Sequence, residues 1–149
     1  MRTFTYLFFL IASMSGGLAH AQENTTLTVN TSDEFGPYLV TGDGRPVYLF
    51  DTTIGAGDGL APLVSCAERC REDWPLVTVA GDLVLGDALD ADLGATVTSE
   101  GQRIAIYNSN TLFYFHRDTE ESGPIGHGLT SHGGGWFLIT PDGDAVPAG

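Results

Sequence analysis

Turn-forming residues interrupt this chain so frequently that they leave little room for long helices. Twenty of its 149 residues are glycine, and the stretches between Gly, Pro, Asp and Asn are short and rich in Val, Ile, Tyr, Phe and Thr. Short β-prone segments bounded by turn residues are typical of strands joined by tight turns. The sequence therefore predicts a mainly β fold.

Two segments have the pattern of β-hairpins. Residues 38–50 (YLVTGDGRPVYLF) place two β-prone arms around a Gly-Asp-Gly turn, and residues 103–115 (RIAIYNSNTLFYF) turn at an Asn-Ser-Asn sequence. Gly, Asn and Asp adopt the backbone conformations that such turns require. We expect both segments to fold as hairpins.

The two hairpins belong to an internal repetition. The aromatic triplet that begins at Tyr48 corresponds to the one that begins at Phe113, and WPLVTVAGD from Trp74 corresponds to WFLITPDGD from Trp136. The order of hairpin, aromatic strand, long loop and Trp-led strand is the same in both copies, with nearly the same spacing. The sequence predicts one compact β domain over residues 36–149, made of two tandem β-hairpin/strand repeats at about 36–82 and 95–144.

The aromatic residues of the two repeats are the strongest candidates for the core. Alternate residues of a strand face the same side, so each aromatic triplet presents a pair of rings to one face. Aromatic side chains bury large apolar areas, which a small β domain needs. We predict core packing, with a ligand-binding aromatic platform as the alternative, for Tyr48, Phe50, Trp74, Phe113, Phe115 and Trp136.

The N-terminus has the features of a secretory signal peptide. Arg2 precedes an apolar run at 4–12 that is too short to cross a bilayer, and an Ala-His-Ala cleavage motif ends at Ala21. The sequence predicts a signal peptide at residues 1–21, cleaved near Ala21/Gln22, and hence a secreted or periplasmic protein. The polar segment 22–35 is expected to be a mobile lead-in or an edge strand.

The charge of the chain restricts its partners. Asp and Glu number 19 against six Lys and Arg, which gives a formal net charge of −13 at pH 7. Such a field repels nucleic acid and anionic membrane surfaces. No cysteine stands at the cleavage point, where a lipid anchor would need one. We therefore expect no nucleic-acid partner, no membrane insertion and no lipid anchor, whereas a protein or small-ligand partner is left open.

The two cysteines of the chain, Cys66 and Cys70, lie in SCAERCREDWPL at C-x3-C spacing. Exported proteins fold where thiols oxidise, so two cysteines with none left over suggest a disulfide. A redox centre and a metal site are the alternatives, but thioredoxin-type redox sites use C-x-x-C and a metal site would need further ligands. We predict a disulfide on a short helical turn, with Ser65 as its N-cap, that orders the loop before Trp74.

Histidines of the second repeat are the candidate metal ligands. His127 and His132 lie in the glycine-rich loop GPIGHGLTSHGGGW, and His116 and Asp118 lie shortly before it. Imidazole and carboxylate ligands suit copper or zinc. The alternative is that all four are ordinary loop residues and that the protein has no cofactor.

The four stretches YLVTGDGRPVYLF, SCAERCREDWPLV, IAIYNSNTLFYFHRD and GHGLTSHGGGWFLITPDG together resemble the bacterial "secreted repeat of unknown function" family. This family is described as predicted lipoproteins with a Y-x-[FWY]-x-x-D motif, and the resemblance covers about residues 36–143. Thr53 replaces the motif Asp of the first copy, and Phe113 replaces the motif Tyr of the second. Asp118 is therefore the one motif carboxylate. The resemblance implies a secreted β-repeat fold and no particular chemistry.

The sequence contains no recognised catalytic signature: no nucleophile elbow, P-loop, haem-attachment motif or zinc-protease motif. It therefore predicts a non-enzymatic protein that serves as an envelope-associated structural or binding module. The alternative prediction is a periplasmic accessory protein for copper or zinc, or for redox chemistry, that uses the loop histidines.

Overall fold

A computed structural model of the protein describes residues 17, 22–55 and 57–149. Apart from Gly17, the predicted signal peptide lies outside the described residues. The fold is mainly β, as the sequence predicts. The elements of the described part are β1 (Thr25–Ser32), β2 (Gly36–Thr41), β3 (Tyr48–Asp51), α1 (Pro62–Ser65), α2 (Arg69–Asp73), β4 (Leu83–Leu85), a 3-10 helix (Ala91–Leu93), β5 (Gly94–Ser99), β6 (Gln102–Tyr107), β7 (Asn110–Thr111), β8 (Thr130–Ser131) and β9 (Gly134–Leu138).

The strands form three small sheets, with orders β2-β1-β4, β3-β9-β8 and β5-β6-β7. Strand β1 pairs antiparallel with β2 and parallel with β4. The segment expected to be a mobile lead-in or an edge strand thus contains the central strand of a sheet. The reason is visible in its alternation: Leu27 is completely buried and Val29 packs against the same core cluster, while Thr28 between them is polar.

The second predicted hairpin is present, since β6 pairs with β7 across a turn at Asn108 and Ser109. Both turn residues have positive φ, of 47° and 65°, as a tight primed turn requires. The first predicted hairpin is shorter than expected. Its arms meet at a bridge between Val40 and Pro46, after which β3 leaves β2 and pairs with β9 instead.

Each aromatic segment pairs with the Trp-led segment from the other half of the domain. In β3, Tyr48 lies opposite Leu138 and Phe50 lies opposite Trp136. In the second half, Phe113 forms a bridge to Leu76 and another to Tyr48. Tyr48 and Phe113 exchange two backbone hydrogen bonds, of 2.8 and 3.0 Å. The two halves are therefore joined through strand pairing as well as through side-chain packing.

The six aromatic residues that the sequence predicts as core candidates all lie in a single buried cluster. At its centre the ring of Trp136 stacks between Trp74 and Phe50, with centroid distances of 3.9 and 4.0 Å and interplanar angles of 2° and 11°. Phe113 meets Trp136 edge-on at 5.1 Å. Both halves thus contribute to one aromatic core.

The predicted disulfide between Cys66 and Cys70 is present, with their Cα atoms 5.1 Å apart. Both cysteines are buried in the cluster that contains the aromatic core. The helical turn is divided between α1 and α2 around Glu68, whose φ is 43°. Ser65 ends α1, and its hydroxyl donates to the Asp58 carboxylate at 2.6 Å, so its expected N-cap role is wrong.

Reducing the disulfide is expected to lower the free energy of unfolding by about 2 kcal/mol, because the bridge closes only a small loop in the unfolded chain. Urea denaturation with and without reductant measures the difference. The variant Cys66→Ala/Cys70→Ala is the control, since reductant must leave its stability unchanged. A reduced protein as stable as the oxidised one would contradict the expected stabilisation by the bridge.

Candidate functional site

A surface groove of about 720 Å³ lies where three separate segments of the chain converge. The turn after β1 supplies one wall, the loop 122–128 supplies another, and residues 147–149 supply the third. Ile125 is 46% exposed there, although it is a large apolar side chain. The residues that give the groove its chemistry are Glu34, Phe35, Pro124, Ile125, His127 and Pro147.

A hydrogen-bond network fixes the backbone of the loop wall. The Tyr48 hydroxyl donates to the Asp118 carboxylate at 2.6 Å and accepts from the backbone N–H of Gly126 at 3.2 Å. The other oxygen of Asp118 accepts from the backbone N–H of Ile125 at 2.9 Å. Because β3 holds Tyr48 in the core, this network connects the position of the groove wall to the core.

Burial determines the protonation of this pair. Desolvation raises the pKa of the Asp118 carboxyl above its ordinary 3.8, while the hydrogen bonds from Tyr48 and Ile125 act in the opposite direction. Burial, followed by the hydrogen bond to Asp118, raises the pKa of the Tyr48 hydroxyl above 10.0. Tyr48 therefore remains a neutral donor throughout the physiological pH range.

Position 126 needs glycine, which has no Cβ atom, because the loop wall of the groove lies close to the aromatic core. A Cβ atom at this position would lie 2.9 Å from the Trp74 ring, 3.0 Å from the Tyr48 ring and 3.1 Å from the Phe115 ring. The first distance is shorter than Cβ atoms adopt in proteins, and the other two are tighter than nearly all such contacts. The groove wall thus lies directly on the aromatic core.

His127 uses both ring nitrogens to hold the groove together. Its Nδ1 accepts from the backbone N–H of Leu138 at 3.1 Å, so Nε2 carries the proton and donates to the Pro147 carbonyl at 3.1 Å. The ring also meets Phe35 edge-on at 5.1 Å. His127 therefore connects all three walls of the groove.

His116 and His132 lie elsewhere, at the end of α2. The Nε2 atom of His132 is 2.9 Å from a carboxylate oxygen of Asp73, and Nδ1 of His116 is 3.0 Å from the Asp73 carbonyl oxygen. The hydrogen bond from His132 is the main cause that lowers the pKa of the Asp73 carboxyl. The contacts connect the disulfide-bearing helix to the loops of the second half.

The four residues predicted as metal ligands are thus distributed over separate places. Asp118 bonds to Tyr48, His127 bonds to backbone atoms, and only His116 and His132 share a neighbour, Asp73. Within residues 22–55 and 57–149, no group of three or more His, Cys, Asp or Glu side chains is placed to hold a metal ion. The neighbour Asp73 was missed because nothing in the sequence relates it to a histidine 59 residues away.

The lining of the groove contains one carboxylate side chain, Glu34. Glu34 is exposed, and so is Asp33, which precedes it in the sequence. None of the lining residues is Arg or Lys. Apolar side chains thus lie beside a carboxylate, with no Arg or Lys among the lining residues.

Within the described part of the chain, none of the helices has the length and apolar character needed to cross a bilayer. Comparison of the chain with models of protein families, with curated proteins and with solved structures gives no match.

Proposed function

We propose that this chain is an exported, non-enzymatic β-repeat protein that binds a partner through the groove between Phe35, Ile125 and Pro147. The observation that carries the proposal is the way in which the groove is built. Three segments distant in sequence converge on it, and the backbone N–H groups of its wall donate hydrogen bonds to the Tyr48 hydroxyl and the Asp118 carboxylate. Preorganised concave surfaces with apolar linings are the usual sites of ligand binding.

Export is supported by the disulfide together with the signal-peptide pattern. A bridge such as Cys66–Cys70 forms and persists in oxidising compartments. The predicted signal peptide at 1–21 would deliver the chain to one, either the periplasm or the medium. The proposed duplication is supported by the strand pairing, in which the aromatic segment of each half pairs with the Trp-led segment of the other.

A binding role agrees with the contacts of the titratable side chains. His127 is held by Leu138 and Pro147, and His116 and His132 are both hydrogen-bonded to Asp73. The Tyr48–Asp118 pair holds backbone N–H groups. Each group stabilises a loop, which is the behaviour of a scaffold.

The proposal is tested by panning a displayed library of random peptides against the disulfide-bonded protein. We expect enriched peptides that bind the wild type and lose binding to Ile125→Arg, which places a charged side chain in the groove. Val84→Arg is the matched control, because Val84 is a similarly exposed apolar residue, 40% against 46%, outside the groove. Failure to enrich any peptide, or enriched peptides that bind Ile125→Arg equally well, would overturn the proposal.

The competing proposal, a role in copper or zinc handling, is distinguished by titrating the protein with Cu(II) and Zn(II). We expect no tight stoichiometric binding. Tight binding that disappears in His116→Ala/His132→Ala, and survives in His127→Ala, would favour a metal role at the Asp73 cluster instead. Thermal unfolding with and without each metal gives an independent measurement, since a ligand of the folded state raises Tm.

A further inference from the structure

We infer that the groove takes a short, extended cationic segment of a partner protein, with at least one apolar side chain set between the basic residues. This inference rests on the proposed function and specifies its ligand. It follows from two independent properties of the groove, the Glu34 carboxylate in its lining and the apolar character of its walls.

The charge argument begins with Glu34, an exposed carboxylate in the groove wall. Asp33, which is exposed as well, precedes it in the sequence. The lining residues include no Arg or Lys to neutralise the Glu34 carboxylate. At moderate salt, charges within about 10 Å interact across the solvent, so Glu34 would attract a basic side chain that lies in the groove.

The apolar argument rests on Ile125 and Phe35. Ile125 is nearly half exposed, and the Phe35 ring is held in place by edge contact with His127. The aliphatic stems of Arg and Lys pack on such surfaces while their charged ends reach a polar rim. A guanidinium above the face of an aromatic ring gains a further cation–π attraction. A leucine-sized side chain would cover Ile125.

The overall charge argues against other occupants. A second copy of this chain would also carry a formal charge of −13, and two such bodies repel one another at low salt. Nucleic acid and anionic lipid are repelled for the same reason. A cationic protein segment is the macromolecular partner that the same field attracts.

The test measures fluorescence anisotropy of a short labelled peptide in which arginines flank a central leucine. Two matched peptides replace the arginines with glutamates, or the leucine with serine. We expect the arginine–leucine peptide to bind best. Its binding should weaken as the sodium chloride concentration is raised, because Glu34 is exposed and salt screens its charge. We expect Glu34→Lys to weaken its binding about 5-fold or more. Asp92→Lys, an exposed site outside the groove with the same charge change, is the control and should have a much smaller effect.

Any one of six results would overturn the inference. The glutamate peptide could bind as well as the arginine peptide, or Glu34→Lys and Asp92→Lys could weaken binding equally, which would show that only the net charge matters. The serine peptide could bind as tightly as the leucine peptide, or free spermidine could bind as tightly as the peptide and displace it, which would reduce the ligand to a small cation.

If uncharged peptides bind and Ile125→Arg abolishes their binding, the cationic ligand is wrong while the proposed function stands. If no peptide of any charge binds, both fail.

Discussion

Replacing Trp136 with alanine is expected to lower the free energy of unfolding by about 3–5 kcal/mol, the usual cost of removing a fully buried large aromatic side chain. Trp136 has no exposed surface and stacks on Trp74 and Phe50 at centroid distances of 3.9 and 4.0 Å. The variant leaves a cavity between the rings of both halves. Such a loss is a large part of the stability of a domain of this size, so the variant should unfold near room temperature or fail to accumulate.

Urea denaturation followed by far-ultraviolet circular dichroism measures this loss, because that signal reports on the strands and does not depend on the tryptophan that the variant removes. Val97→Ala is the control: Val97 is an exposed residue of β5, and its truncation should change stability by no more than about 0.5 kcal/mol. Trp136→Phe should give an intermediate loss. A Trp136→Ala variant within about 1 kcal/mol of wild type would contradict a core shared by the two halves.

Replacing Tyr48 with phenylalanine is expected to cost about 2–4 kcal/mol, although only one oxygen atom is removed. The change leaves the buried N–H of Gly126 without its acceptor and takes a donor from the half-buried Asp118 carboxylate. Each buried polar group left unpaired costs about 1–3 kcal/mol. Tyr38→Phe is the control, since the Tyr38 hydroxyl has a single partner, the Asn30 amide, and about 0.5–1.5 kcal/mol is expected there.

The same variant is expected to change the dependence of stability on pH. In the wild type the pKa of Asp118 is raised above 3.8 by burial, and the hydrogen bond from Tyr48 opposes that rise. A carboxyl whose pKa is raised in the folded state stabilises the fold fully below 3.8, and this stabilisation is lost as pH rises through the folded-state pKa. Tyr48→Phe raises that pKa further, so its deficit against the wild type should grow as pH increases from 3.8 towards neutrality. A deficit that is constant between acid and neutral pH would contradict a charged Asp118 in the folded protein.

The features that could be predicted from the sequence are those that depend on neighbouring residues. Asn108 predicts the β6–β7 turn because asparagine tolerates positive φ, and Cys66 and Cys70 predict a disulfide because a short helical turn brings them close. The pairing of β3 with β9, by contrast, depends on residues at opposite ends of the domain. No local pattern in the sequence specifies that partner, so β3 was expected in a hairpin with β2.

The candidate site was predictable only in part. His127 was singled out as a ligand, but its role depends on Leu138 and Pro147, which bind its two ring nitrogens and leave neither free. Phe35 lay in a segment expected to be a lead-in, and no sequence signal connects it to the loop at 122–128. The motif residue Asp118 was recognised, but its partner Tyr48 could be identified only from the fold.

The contact between Tyr48 and Asp118 also gives a physical interpretation of the departures from the repeat motif. The tyrosine comes from the first half and the aspartate from the second. Under the proposed duplication, the corresponding pair in the opposite sense is Phe113 with Thr53. Both departures from the motif of the family that the sequence resembles therefore fall on one pair, which has neither the tyrosine hydroxyl nor the carboxylate, whereas the Tyr48–Asp118 pair has both.

The pairing of the two halves also determines when the protein can fold. The hydrogen bond from Tyr48 forms only after Asp118, 70 residues further along the chain, is in place. Strand β3 likewise pairs only after β9, close to the C-terminal end of the described chain, is available. Closing such a long loop lowers the conformational entropy of the chain before any native contact compensates for the loss. Folding is therefore slow, as in other domains of high contact order. A chain that crosses a membrane N-terminus first would expose Phe50 and Trp74 until its last strand arrives.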